Sequence, residues 1–249
     1  MTYKTSQIAR LVGVHANTIR LYEELKLLPP VPRTESGYRI FHDRHLKQLY
    51  LLRTAFRSGI VSDRLRQEVY EIVKTAATND IEAAYMKTES YLEHLRVEKD
   101  RAEEAIRITL EIIEHSDKSE ENVVFTGRVE VAKVLGITID ILRDWERNGL
   151  IEVPRSSNVY RKYREKEMKR LKIIRTLRNA HYSMMSILRM LNRLDRGETN
   201  IREAIDTPEK EEDIVYVTDR YMTALKLAEA DALEMLRILE DIKRMEEQT

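Results

Sequence analysis

Apolar and polar positions near the start of the chain follow a helical period that is broken once. A first helix carries Ile8, Ala9, Leu11 and Val12 behind a cap at Thr5 or Ser6. Gly13 interrupts the pattern, because a helix often ends on a residue with positive φ. Val14 fills the turn, and a second helix is predicted from about Ala16 to Leu25 with Ile19 facing inward. This order is a helix-turn-helix. Pro29, Pro30 and Pro32 exclude helix, and residues 33–41 read as two short strands around a Ser36-Gly37 turn. A further helix is expected from about Asp43 to Ser58, with Leu46, Leu49, Leu52 and Phe56 on one face.

The whole pattern then recurs. Ile8–Leu28 aligns without a gap on Val131–Ile151, sharing Ala9/Ala132, Gly13/Gly136, Arg20/Arg143, Glu23/Glu146 and Leu27/Leu150. After one residue is dropped, the match resumes with Pro32-Arg33/Pro154-Arg155, Tyr38-Arg39/Tyr160-Arg161 and Arg53-Thr54/Arg175-Thr176. Two copies of one functional unit are implied. The second copy turns its hairpin at Ser157-Asn158 and carries Met168, Leu171, Ile174 and Leu177 on its next helix.

Each copy ends in a long polar helix with a narrow apolar seam of coiled-coil spacing. The first seam is Tyr85, Thr88, Leu92, Leu95, Lys99, Ala102, Ile106, Thr109 and Ile113. The second is Val215, Thr218, Met222, Leu225, Glu229, Ala232, Leu236, Leu239 and Lys243. Lys99 and Glu229 hold the same place in the two rows, so antiparallel pairing sets opposite charges together. The linear organisation is a first module over 1–75, a long helix over 76–116, a linker over 117–124, a second module over 125–205 and a second long helix over 206–249.

Composition adds one strong signal. The formal net charge is zero, but it divides into blocks of +7 (residues 1–66), −8 (67–123), +9 (124–197) and −8 (198–249). Two basic modules separated by acidic helices imply two surfaces facing a polyanion. With no cysteine in 249 residues, thiolate metal sites, disulfides and a cysteine nucleophile are excluded. No membrane span or signal peptide is read, and a soluble cytoplasmic protein is expected.

A helix-turn-helix lays its second helix in the DNA major groove, where each base pair shows a distinct donor and acceptor pattern. In the first copy that helix offers His15, Asn17, Thr18, Arg20 and Tyr22, and the hairpin adds Arg33, Tyr38 and Arg39 as backbone contacts. The second copy offers Thr138, Asp140, Arg143, Trp145, Arg155, Tyr160 and Arg161 at matching places.

Gly13-Val14, Thr18-Ile19-Arg20, Tyr22-Glu23, Leu27-Leu28, Pro32-Arg33 and Gly37-Tyr38-Arg39 form a run that resembles the DNA-binding module of the MerR family of bacterial transcription regulators. The resemblance covers nearly all of residues 3–66, with a degenerate copy over 125–194. It implies a mainly α fold with winged helix-turn-helix modules, each followed by a long helix that pairs as an antiparallel coiled coil. It further implies promoter DNA with overlong element spacing as the target, bending and untwisting as the mode of activation, and RNA polymerase as a second partner. The family normally carries one module per chain and dimerises. Here a linker of eight residues reaches at most about 27 Å, enough for one chain to supply both halves as an intramolecular pseudo-dimer.

Asp140 stands where the first copy has Asn17, Asp144 replaces Leu21, and Val159 replaces Gly37. An acidic side chain accepts from cytosine but repels phosphate, so the second module is expected to bind more weakly or to read another half-site. Metal-sensing relatives use cysteines near the coiled coil, which this sequence lacks. Multidrug-sensing relatives append a ligand domain, and only about 40 residues of expected helix follow Ile205 here. No cofactor is evident, and a small-molecule effector is left open. Met184, Met185, Met190, Met222, Tyr216 and Tyr221 could line an apolar pocket, although ordinary packing accounts for them better. His42 and His45 are better read as a helix start than as metal ligands. No constellation supports an enzyme. The remaining alternatives are a DNA-architectural protein, a simple repressor, or a helical scaffold that binds protein.

Overall fold

The computed structural model describes residues 1–58, 62–114, 125–153, 162–198, 200–207 and 220–248. It is mainly helical. The expected linker at 117–124, the second hairpin turn, and Val215, Tyr216 and Thr218 lie outside the described residues.

Two compact units divide the chain, and the first is built from two separate stretches. It comprises Met1–Val97 and Ala224–Thr249, whereas the second comprises Glu98–Thr223.

In the first unit, α1 (Thr5–Val12) and α2 (Ala16–Glu24) form the helix-turn-helix. Neither Thr5 nor Ser6 is the N-cap of α1: Lys4 takes that position, and its backbone N–H donates to the Gln7 side chain at 2.8 Å. Gly13 ends α1 at φ 71°, and Val14 N–H donates to Ala9 O at 2.9 Å. From α3 (Asp43–Ala55), Arg53 Nη1 donates to the carbonyls of Val12 at 2.5 Å and Gly13 at 2.9 Å, locking the turn. Ile8, Val12, Ile19, Leu28, Phe41 and Leu49 close one core beneath these helices. The expected hairpin is present as an Arg33–Arg39 bridge around Gly37 at φ 83°. Its distal arm continues differently, because β2 (Phe41–His42) pairs antiparallel with β1 (Thr2–Tyr3).

α4 (Asp63–Ala77) is capped by Ser62 and ends before a left-handed Asn79 at φ 68°. The long helix α5 (Ile81–Glu114) therefore starts five residues later than expected, behind Asp80, which accepts from Ala83 N–H at 3.1 Å.

The second unit repeats the order. β3 (Phe125–Thr126) pairs with β4 (Lys162–Tyr163), and α6 (Arg128–Leu135) turns at Gly136 into α7 (Ile139–Arg147). Then follow α8 (Glu165–Asn179), α9 (Met184–Asp195) and α10 (Ile201–Asp206). The last helix is α11 (Tyr221–Glu247). It was expected from residue 206; instead the Asp206 carboxylate accepts from the backbone N–H of Met222 and Thr223 at its start. Among the described residues no helix is long and apolar enough to cross a membrane.

Within the first unit α5 and α11 run antiparallel. Glu82 meets Lys243 at 2.7 Å, Tyr85 meets Glu240 at 3.3 Å, and Arg96 meets Glu229 at 3.3 Å, so one number rises as the other falls. α11 follows the second module in sequence yet packs on the first. Lys47 pairs with Asp241 at 2.6 Å, Arg44 with Glu246 at 3.2 Å, and Arg57 Nε donates to Asp231 at 2.8 Å. The expected seams are largely buried, including Leu92, Leu95, Ala102, Ile106, Leu225, Ala232 and Leu239. Lys243 is exposed instead, and Ala228, Met235 and Ile242 are buried beside the second seam. A helix that packs on a module as well as on a partner helix buries a wider stripe than a coiled-coil seam.

Candidate nucleic-acid interface

The exposed face of α2 is ordered by local hydrogen bonds. His15 is the N-cap, its Nδ1 accepting from Asn17 N–H at 3.2 Å. Arg20 Nη1 donates to Asn17 Oδ1 at 3.0 Å, and both side chains face solvent. Thr18 and Tyr22 are half-buried, and Tyr22 packs against the core cluster. α7 reproduces this arrangement with a change of charge. Thr138 is the N-cap, accepting from Ile141 N–H at 3.2 Å, and Arg143 donates to Asp140 at 2.8 Å. Asn17 orients a guanidinium that keeps its full charge, whereas Asp140 orients one and offsets it.

Trp145 must be removed from the candidate contacts. It is 4% exposed and sits three residues beyond buried Leu142, on the inward face of α7. An indole supplies a large apolar area, and the core claims it.

The hairpin arginines are held by an acid that sequence reasoning passed over. Glu23 on α2 accepts from Arg33 at 3.2 Å and from Arg39 Nε at closer range. Arg39 is largely covered, with a side chain 22% exposed. Tyr38 at the hairpin tip is 74% exposed. In the second copy Glu146 accepts from Arg128 at 2.6 Å and from Tyr163 OH at 2.7 Å. The Arg128 guanidinium is held above its ordinary range chiefly by that hydrogen bond to Glu146. The signal was available: Glu23/Glu146 is one of the five identical pairs in the aligned helices. Arg155, Tyr160 and Arg161 lie outside the described residues.

His42 and His45 form a helix start. His45 Nδ1 accepts from His42 N–H at 3.0 Å, and its Nε2 lies 3.2 Å from Pro30 O. Both ring nitrogens are occupied, and burial pushes the ring below the ordinary histidine range. Of the methionines and tyrosines weighed as a pocket and read rather as ordinary packing, Met190, Tyr221 and Met222 are buried and Met185 is exposed. Tyr182 and Tyr221 stack edge to face at 5.3 Å.

The family model described as MerR family regulatory protein matches residues 4–41, and that described as MerR HTH family regulatory protein matches residues 129–194. An HTH-type transcriptional regulator CueR of Yersinia pestis is 40% identical over 62 residues, which is 25% of this chain and 45% of that protein. A CueR of Vibrio cholerae is 43% identical over 61 residues, covering 24% and 44%. An uncharacterized HTH-type transcriptional regulator of Haemophilus influenzae is 42% identical over 60 residues, again covering 24% and 44%. The chain thus spans less than half the length of these relatives. Among solved structures, HiNmlR, a MerR family regulator lacking the sensor domain and bound to promoter DNA, is 26% identical. The match covers 57% of this chain and 96% of that one, with a TM-score of 0.30.

Proposed function

We propose, on the premise that the chain carries two MerR-family helix-turn-helix modules, that it is a sequence-specific DNA-binding transcription regulator. The observation that carries this reading is the pair of exposed arginines, Arg20 and Arg143. Each is held by its neighbour one turn earlier on the second helix of a helix-turn-helix. An arginine so placed suits bidentate contact with guanine O6 and N7. The hairpin tip bearing Tyr38 acts as a wing against the DNA backbone, braced on α2 through Glu23. The second module binds more weakly, because Asp140 offsets Arg143 and faces phosphate with like charge.

The finer reading is an intramolecular pseudo-dimer in which α5 and α11 pair as an antiparallel coiled coil. The polar contacts between α5 and α11, and the packing of α11 on the first module, support it. Two unlike modules on one chain then engage an asymmetric site, bending and untwisting a promoter for RNA polymerase.

Duplex binding measured across a salt series, with selected operator and scrambled DNA, tests the function. Affinity should fall along a log–log slope of about −0.9 per phosphate contact. Arg20→Ala should cost about 1–3 kcal/mol of discrimination while leaving non-specific binding nearly intact. Arg39→Ala, which removes one of the two hairpin arginines held by Glu23, should weaken both duplexes alike. Salt-insensitive binding, or equal losses on both duplexes for Arg20→Ala, would remove the reading.

A further inference from the structure

The two copies differ where a long helix crosses a module. In the first unit this crossing is closed. Met235 on α11 is 1% exposed, and Arg57 of the first module binds the buried Asp231. In the second unit the same place belongs to α5 crossing α6 and α8. Aligning the seam rows sets Ala105 against Met235 and Arg101 against Asp231, and the module repeat sets Asn179 against Arg57. A thioether has become a methyl group, and an ion pair has become a cation beside an amide.

The result is a groove of about 550 Å³. Its lining includes Ala105, Ile108, Ile112 and the half-exposed Val134, together with Lys172 and Arg175. Both cations are exposed, and neither makes an ion pair or hydrogen bond among the described residues. Arg175 is the counterpart of Arg53, which spends its guanidinium on the turn carbonyls of Val12 and Gly13. Arg101 also lines the groove and is paired with Glu98 at 3.2 Å. The acid beside the groove, Glu104, is already bound to Arg107. An apolar lining beside two cations that have no partner among the described residues is complementary to a molecule with an apolar body and one anionic head.

We propose that this groove binds a small amphiphilic carboxylate, and that its occupancy fastens α5 to the second module much as Asp231–Arg57 fastens α11 to the first. The apolar body replaces the missing Met235 side chain, and the head group meets Lys172 and Arg175. The site goes beyond DNA recognition and does not depend on it.

Sodium octanoate is the probe, titrated into the full chain with ¹³C-labelled alanine, isoleucine and valine methyl groups. Saturable shifts are expected at Ala105, Ile108 and Val134, with octanamide binding at least tenfold more weakly. Ala105→Met, which restores the residue of the other copy, should abolish the shifts at Ile108 and Val134 while circular dichroism stays unchanged. The surface variant Lys172→Gln/Arg175→Gln should weaken octanoate at least tenfold, and it decides the matter if the core variant fails to fold. Non-saturable shifts spread over the surface, equal binding of the amide, or wild-type affinity in the surface variant would each overturn the site.

Discussion

At the scale of single residues, polar side chains are used to fix backbone before they are offered to a partner. His45 shows it most clearly, because its Nδ1 must be unprotonated to accept from His42 N–H. Burial lowers its folded-state proton affinity below the ordinary value of 6.5. The unfolded chain therefore takes up the proton first as pH falls. Stability from this group is complete above about pH 6.5 and declines below it until the folded ring also protonates. Thermal midpoints measured from pH 8 to 5 should fall in the wild type and flatten in His45→Asn, which retains an acceptor that does not titrate. An unchanged profile in the variant would show that another group sets the dependence. Glu23 and Arg53 act in the same way, bracing a hairpin and a turn.

At the scale of elements, legibility followed the length of the pattern. α1, α2 and the Gly13 turn were readable because periodicity, a glycine and a second copy agreed. β1 and β2 were not, since two-residue strands leave no alternation to detect, and their pairing joins Thr2 to His42 across 40 positions. Trp145 was misplaced because exchange with Tyr22 preserved aromatic type while burial differed. The groove beside Ala105 was invisible for a related reason: alanine fits a seam as well as methionine does, and only packing reveals the space. The seam charges yield a prediction at this scale. Glu229 accepts from Arg96 in the first unit, whereas the matching places in the two seam rows predict Lys99 as its partner. Glu229→Lys should destabilise the chain by about 0.2–1 kcal/mol, the range for exposed pairs. Adding Arg96→Glu should recover part of the loss, and adding Lys99→Glu tests the register expected from the seams. Additive losses in a double-mutant cycle would show that the charges do not interact.

At the scale of the molecule, α11 lies far along the chain from the first module yet packs on it, as between Lys47 and Asp241, and the proposed pseudo-dimer rests on that packing. Light scattering on dilution should give 29.4 kDa, the mass of one chain; a dimer that persists would contradict the pseudo-dimer. The split composition of the first unit also sets a timetable for biosynthesis. Its opening 97 residues leave the ribosome early, but the stretch from Ala224 is translated only after the whole of the second unit. At about 5–20 residues per second, the intervening segment takes on the order of ten seconds to make. During that interval Leu92 and Leu95 lack the α11 side chains that cover this unit's long helix. A chain ending after Thr223 should lose hydrogen-exchange protection in α1 to α4, although every residue of those helices is present. Termination before Ala224 would thus strike a unit most of which is made first, a hazard that chaperone capture of nascent chains is suited to offset.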